Sequence, residues 1–168
     1  MLHPALQARR PTAIVRSLRV ATAALIAIGG YVHFCLYRHG YRTIPTIGVG
    51  FLLQIVGSGL VACALVVPWP TLHLGRRSAE PVTATTLAAL SLSIGTLMAF
   101  WLTRRPGGLF GFQERGLQPA PQALIALVAE SAVLVVALVT LLVEHHDHPQ
   151  LAEVRATRPT TNRHDRAH

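Results

Sequence analysis

The sequence predicts an all-α membrane protein, a four-helix transmembrane bundle, and three observations lead to that fold class. Hydrophobic residues make up 51% of the chain and charged residues only 13%, whereas charged residues make up about a quarter of an ordinary soluble domain. Four apolar segments each reach the length of about 20 residues that a helix needs to cross a bilayer. Prolines, glycines or arginines bound all four segments, which is typical of helix ends.

The first predicted span covers residues 18–37 and the second covers residues 44–67. An arginine-rich leader, residues 1–17, precedes the first span, and Gly40 and Pro45 lie between the two. The stretch HFCLYRHG contains no small-x-small cleavage site, so we expect an uncleaved span rather than a signal peptide. The second span ends at the motif PWP, because neither proline favours a continuing helix.

The third predicted span covers residues 83–103 and the fourth covers residues 122–143. Pro81 precedes the third span, and the motif RRPGG follows it. Pro121 precedes the fourth span, where a proline is tolerated because its missing N–H would have no partner in the first turn of a helix. Tyrosine and tryptophan prefer the membrane interface. The rings at the span ends belong to Tyr37, Tyr41, Trp69 and Trp101.

The arginines predict the orientation of the spans. All 15 cationic side chains are arginines; ten lie in the two tails and the second loop, counting Arg19 at the start of the first span with the leader, and five lie in the first and third loops. Cytoplasmic segments carry the excess of positive charge, so we expect both termini in the cytoplasm of a bacterium whose plasma membrane the chain crosses four times. The basic leader 1–17 and a disordered tail, residues 144–168, would then be cytoplasmic. No basic face with interleaved aromatics occurs, so no nucleic-acid partner is predicted.

Each predicted span carries a polar group at a similar depth. His33, Gln54, Thr96 and Glu130 are expected roughly 6 to 15 Å below the outer surface, at about 1.5 Å of rise per residue. Small and polar residues recur at helical spacing around them, which favours close contact between helices in lipid. The predicted inward stripes are Gly29, Gly30, His33 and Tyr37; Gly50, Gln54, Gly57, Ser58 and Val61; Ala89, Ser93, Thr96 and Phe100; and Ala123, Ala126, Glu130, Val133 and Ala137.

Glu130 is the most informative of these residues. An ionised group near mid-membrane costs about 2.5 to 3.5 kcal/mol on insertion scales, so such groups usually face a bundle interior or a cavity. Our hypothesis pairs Glu130 with His33 and lets Gln54 and Thr96 complete the hydrogen bonds. Two interpretations stay open: the cluster locks the helix register, or it forms a site for a ligand, a proton or a cofactor.

The first and third loops are expected to meet on the outer face. Tyr37, Arg38, Arg42 and Glu114 are the candidate residues there, and Glu114 is expected to pair with Arg38 or Arg42 across the loops. The stretch GGLFGFQERG, residues 107–116, is more apolar than a plain connector. We expect it either to dip into the lipid headgroups or to cover the mouth of the bundle.

The sequence indicates neither a metal site nor a resident cofactor. His145, His146, Asp147 and His148 form a possible Zn²⁺ or Ni²⁺ tract, but adjacent residues point in different directions on a helix, and a solvated tail is the preferred interpretation. A haem held by two axial histidines would need a second one within the spans, where only His33 lies. No catalytic motif was recognised, so no catalytic residue is predicted.

Two stretches, GYVHFCLYRHGYRTIPTIGVGFLLQIVGSGLVACALV and GLFGFQERGLQPAPQALIALVAESAVLVV, resemble a family of small uncharacterised four-span membrane proteins of actinobacteria. The shared elements are His33, Tyr41, the motif IPTIGVGFLLQ, the motif LFGFQE and Glu130. The resemblance covers residues 20–143 and implies a four-span fold without an assigned activity. The family pattern usually has Asn where Gln54 stands. The architecture is also loosely similar to that of DoxX-like membrane proteins, a likeness that carries no function.

Three functions are compatible with these features. The first is a non-enzymatic accessory or assembly subunit that packs against a membrane protein partner or against a second copy of itself. The second is a redox-associated protein that holds a quinone or haem in the outer half of the bundle near His33, Tyr37 and Glu130. The third is a small transporter or proton path that uses Glu130, for which four spans are few unless the protein oligomerises.

Overall fold

The computed structural model describes residues 10–67 and 81–156 and, of their side chains, those of residues 13–67 and 83–144. The described chain is helical: α1 is Arg10–Arg38, α2 is Ile47–Val66, α3 is Pro81–Leu102 and α4 is Gln122–Ala156. A short 3-10 helix, Tyr41–Thr43, lies between α1 and α2. All four α-helices are long and apolar enough to cross a membrane. For the described residues, the predicted all-α fold with four helices of membrane-spanning length and hydropathy is confirmed.

Two helices extend beyond the predicted spans. α1 begins at Arg10 rather than at residue 18, and α4 continues from residue 143 to Ala156. The two tails assigned to residues 1–17 and 144–168 are therefore partly helical, and their remaining residues lie outside the described ones. Hydropathy predicts where the apolar part of a helix ends. The helix itself continues for as long as its backbone hydrogen bonds do. Between residues 144 and 156 no glycine occurs, and the helix continues through Pro149 into the helix-favouring residues Leu151, Ala152 and Glu153.

Neighbouring helices run antiparallel around a square. α1 packs against α2 and α4, and α3 packs against α4 and, less closely, against α2. Arg19 Nη2 donates to the carbonyl of Val67 at 3.3 Å, and Thr83 Oγ1 donates to Glu144 Oε2 at 3.3 Å. These bonds place residue 19 of α1 beside the end of α2, and the first turn of α3 beside residue 144 of α4. We call this the open end, and the end with loops 39–46 and 103–121 the roofed end.

The distribution of polar and apolar side chains is the reverse of that in a soluble protein. The interior is built from small residues and polar groups, and Ser93, Glu130 and Thr140 are each at most 1% exposed. Large apolar side chains cover the outside, and Leu60 and Val135 are 68% and 64% exposed. A surface of this kind is stable in contact with lipid and unstable in water. Burial, length and hydropathy together indicate a multi-pass membrane protein.

The predicted stripes face inward with one informative exception. All five residues of the α4 stripe are buried, and Gln54 and Ser58 of α2 are buried with them. Gly50, placed on the same α2 stripe, is exposed. It borders a gap between α2 and α3.

Candidate functional site

The Glu130 carboxyl group is the centre of the polar cluster. Gln54 Nε2 of α2 donates to Oε1 at 3.1 Å, and Ser93 Oγ of α3 donates to Oε2 at 2.5 Å. Both bonds are buried and cross between helices. Among the described residues, no cation contacts this carboxyl group. Interhelical hydrogen bonds of this kind are worth on average about 0.6 kcal/mol each in membrane proteins, and at most about 1.7.

Gly29 brings α1 into the same cluster. A Cβ built on Gly29 would lie 2.7 Å from Glu130 Oε1, which is closer than real Cβ contacts. The missing side chain therefore leaves the space that the carboxyl group occupies. Through Gly29, Gln54 and Ser93, Glu130 contacts each of the three other helices at one level of the bundle.

His33 lies one turn from Gly29 and does not pair with Glu130. Its Nδ1 is 2.8 Å from the carbonyl oxygen of Gly29. A carbonyl oxygen only accepts hydrogen bonds, so Nδ1 carries the proton and Nε2 of the neutral ring is an acceptor. The ring packs against Phe51, with centroids 5.2 Å apart. His33 belongs to the same region as Glu130 but makes separate contacts.

Thr96 also differs from its predicted role. Its hydroxyl donates to the carbonyl of Leu92 in its own helix at 3.0 Å, while Ser93 makes the bond to Glu130. The two residues are three apart and lie on one face of α3, so spacing alone left the choice between them open. The hypothesis of a direct His33–Glu130 pair completed by Thr96 is wrong in its contacts.

The four predicted residues nevertheless share a cavity. It has a volume of about 400 Å³ and lies in the roofed half of the bundle, with walls from all four helices. The walls are mainly apolar, and Phe51 and Leu127 line it from α2 and α4. Away from the roofed end its polar lining residues are His33, Gln54, Ser91, Thr96 and Glu130.

A second polar group closes the cavity at the roofed end. The Tyr41 hydroxyl donates to Glu114 Oε1, and Arg104 Nη1 lies 3.2 Å from Glu114 Oε2. The bond from Tyr41 to Glu114 joins loops 39–46 and 103–121, which were predicted to meet, while Arg104 belongs to the same loop as Glu114. The expected pairing of Glu114 with Arg38 or Arg42 is not formed.

Arg104 organises the third loop around itself. Its Nε and Nη2 donate to the carbonyls of Gly116 and Gln118 at 2.5 and 2.9 Å. Its Nη1 donates to the Phe100 carbonyl at 2.9 Å, and its guanidinium carbon lies 3.4 Å from the centroid of the Phe100 ring. A planar fork of donors suits such a set of carbonyls, and a lysine would satisfy only part of it.

The loop tip is a tight turn that faces the cavity. Leu109 and Phe112 exchange two backbone hydrogen bonds of 2.9 Å, and the intervening Phe110 has a φ of 53°, unusual for a bulky residue. A Cβ on Gly108 would clash with the Phe112 carbonyl. Leu109, Phe110 and Phe112 all line the cavity. These three residues therefore lie at the mouth of the bundle, while the contact of Phe110, which is 75% exposed, with lipid headgroups stays a prediction.

The other outer-face candidates lie apart from the cavity. Tyr37 is half-buried, Arg42 is exposed, and the Arg38 guanidinium carbon lies 5.9 Å from the centroid of the exposed Phe34 ring. None of the three lines the cavity. Of this predicted group, only Glu114 belongs to the site.

Sequence reasoning missed Tyr41 and Arg104 as site residues, because both were interpreted as features of the membrane interface. One signal pointed to Arg104: the third loop has three arginines and a single acid, Glu114. The choice of partner depends on the loop path. In the part of the chain that has described side chains, no three His, Cys, Asp or Glu residues gather as metal ligands. The side chains of residues 145–148 lie outside that part.

The chain matches no protein-family model, no curated protein and no solved structure. The resemblance to an actinobacterial four-span family, and the looser likeness to DoxX-like proteins, stay predictions.

Proposed function

We propose that this chain is a non-enzymatic membrane protein that binds a lipophilic small molecule with a polar head. The observation that carries the proposal is the cavity of about 400 Å³, which is apolar along its walls and polar in its deep part. Ligand cavities typically measure about 300 to 1,000 Å³ and combine apolar walls with a few converging polar groups.

The unused hydrogen-bonding capacity of the deep residues selects the head group. Nε2 of neutral His33 is an acceptor, since Nδ1 donates to Gly29. Gln54 donates one amide hydrogen to Glu130 and keeps a second donor and its carbonyl oxygen. A hydroxyl group matches His33 and a carbonyl group matches the Gln54 amide. A quinol carries hydroxyl groups and the corresponding quinone carries carbonyl groups at the same ring positions, so the quinol matches His33 and the quinone matches the Gln54 amide. The flat six-membered ring of either form also suits the Phe51 wall.

The first test is chemical analysis of the full chain purified in a mild detergent. Organic extraction followed by mass spectrometry is expected to find a lipophilic molecule in stoichiometric amount, and a quinone would absorb in the ultraviolet. A haem would instead be seen as a visible absorption band. A colourless preparation without an extractable lipophilic molecule, and without affinity for added decylubiquinone, would overturn the proposal.

The second test removes the proposed hydrogen-bond acceptor. His33→Leu is expected to weaken binding of the reduced form, decylubiquinol, about tenfold, because the quinol hydroxyl loses its acceptor; a lost hydrogen bond is worth about 0.5 to 1.5 kcal/mol and tenfold corresponds to 1.4. His39→Leu is the matched control: His39 is exposed, also bonds a carbonyl in the preceding turn, and does not line the cavity. Equal affinity of both variants in calorimetry would contradict the role of His33.

The orientation is part of the proposal: the arginine distribution supports a roofed end that faces the outside of a bacterial plasma membrane. The accessory-subunit role and the transport role gain no specific observation from the described contacts. Both stay predictions, and so does a homo-oligomer.

A further inference from the structure

The cavity is incompletely walled between α2 and α3. These two helices contact each other less closely than the other neighbouring pairs. Gly50 on α2 and Gly95 on α3 are both exposed, and both line the cavity. A Cβ on either glycine would meet no atom within 4 Å. The two glycines thus border open space rather than a packed interface.

The gap is closed above and below. Toward the roofed end, the bond from Tyr41 to Glu114 and the ring of Phe112 cover the cavity, with Tyr41 and Phe112 in edge contact at 5.8 Å. Toward the open end the two helices meet, since a Cβ on Gly57 would lie 3.2 Å from Leu92 Cδ1. The opening is therefore a window in the side of the bundle.

The surface around this window is made of lipid-facing side chains. Leu53 of α2 is 67% exposed, and Ile94 and Met98 of α3 are exposed beside it. In a chain whose outer surface is stable only in lipid, a lateral window opens onto acyl chains rather than onto water.

We propose that the cavity is loaded sideways from the bilayer, through the window at Gly50 and Gly95, by a molecule dissolved in the membrane. The inference rests on the proposed binding function and adds the route and the class of occupant: an amphiphile with an apolar body and one hydrogen-bonding head. The head reaches the deep residues, and the body lies along Phe51 and Leu127 toward the window. Water-soluble ligands have no part in this route.

The test uses the full chain in lipid nanodiscs that contain a long-chain alcohol bearing a diazirine. On illumination, the probe is expected to label Ala123 and Ala126, which are buried yet line the cavity. It is also expected to label Leu60 and Val135, which face lipid and serve as an internal control. Mass spectrometry of peptides measures both sets in one sample.

A leucine at the window is expected to block entry. In Gly50→Leu, Gly95→Leu and the double variant, labelling of Ala123 and Ala126 should fall about tenfold while lipid-facing labelling persists. Gly59→Leu is the matched control, since Gly59 is exposed on α2 with no atom within 4 Å of its Cβ and does not line the cavity.

Each outcome separates the two proposals. Cavity labelling that is absent from the unaltered protein, or that persists in the double variant, overturns the lateral route. Labelling that the window variants abolish, in a protein that carries no lipophilic molecule and binds no decylubiquinone, supports the route and overturns the proposed function.

Discussion

At the scale of single residues, the bundle is organised by a carboxyl group that contacts all four helices. Glu130 is 1% exposed and is bonded by Gln54 and Ser93, while its Oε1 occupies the space left by Gly29. A shift of any helix by one residue would separate at least one of these contacts. The cluster therefore specifies register, and the cavity beside it leaves His33 Nε2 available to a ligand. The two interpretations of the polar residues are compatible.

Gly29→Ala is expected to destabilise the bundle by about 1 to 3 kcal/mol, the usual cost of overpacking a tight interior. The new methyl group would lie 2.7 Å from Glu130 Oε1 and would displace the carboxyl group from its partners. Gly59→Ala should have the opposite sign, a gain of about 0.4 to 1 kcal/mol, because open space surrounds its Cβ and alanine restricts the unfolded chain. Reversible unfolding in mixed micelles measures both. Equal effects would contradict the packing argument.

At the scale of elements, two loops form a roof because the hydrogen bond from Tyr41 to Glu114 joins them, and the ion pair of Glu114 with Arg104 fixes the shape of the third loop. The Glu114 carboxylate, 15% exposed, receives hydrogen bonds from Arg104 of its own loop and from Tyr41 of the other. Arg104 in turn holds the backbone of residues 116 and 118. The loop thus keeps a defined shape without regular secondary structure, over a cavity that its Phe112 helps to cover.

Arg104→Lys is expected to loosen the third loop. A lysine keeps the charge but lacks the planar fork, so the carbonyls of Gly116 and Gln118 lose donors worth about 1.5 to 3 kcal/mol each when the donor is charged. Proteolysis between residues 105 and 118 should become faster, while α3 and α4 stay protected. Arg105→Lys is the control, because Arg105 is exposed. Unchanged cleavage in Arg104→Lys would show that the loop is held by other contacts.

The roof is also expected to respond to alkaline pH. Burial, and then the hydrogen bond to Glu114, raise the pKa of the Tyr41 phenol above its ordinary value near 10. The folded state therefore keeps a proton that the unfolded state releases above about pH 10, so stability should fall as the pH rises through that range. Below the unfolded pKa the contribution is fully present.

The measurement compares the unfolding free energy of the unaltered protein and Tyr41→Phe between pH 8 and 11. The difference between the two should be constant up to about pH 9.5 and should decrease above it. A difference that grows with pH would have the wrong sign for a buried phenol that donates to a carboxylate.

At the scale of the whole molecule, the composition of the surface indicates the solvent in which the protein is stable. Leu53, Leu60, Val128 and Val135 each expose 60% or more of their surface, while Ser93 and Glu130 are buried. In water this arrangement would expose a large apolar area and bury polar groups. In lipid the apolar side chains contact acyl chains, and the polar groups bond to one another inside the bundle. The bilayer is therefore the environment in which this bundle is stable.

Val135→Arg is expected to impair insertion by about 2.5 to 3.5 kcal/mol, the cost of arginine at the centre of a spanning helix. Val135 is 64% exposed and lies mid-way along the apolar part of α4. Val135→Ala is the control and should insert normally. Carbonate extraction of cell membranes measures the fraction that inserts. Normal insertion of the arginine variant would show that this face of α4 is not in contact with lipid.

The sequence by itself determined the all-helical fold class and the four helices that are long and apolar enough to cross a membrane, and it grouped the polar residues that share the cavity. The mean hydropathy over about 20 residues indicates whether a helix is stable in lipid or in water, and helical spacing indicates which residues share a face. For this reason all five predicted residues of the α4 stripe are buried, and Gln54 meets Glu130 as expected.

Only the tertiary structure decided the partners. Ser93 and Thr96 share a face of α3, and the rotation of that helix selected Ser93 for Glu130. His33 bonds to a carbonyl of its own helix, and Glu114 pairs with Arg104 rather than with Arg38 or Arg42. These choices depend on how helices rotate and how loops fold back, over distances of a few ångströms that a residue pattern does not encode. The same is true of the window, where Gly50, which was placed on the inward stripe of α2, borders open space together with Gly95.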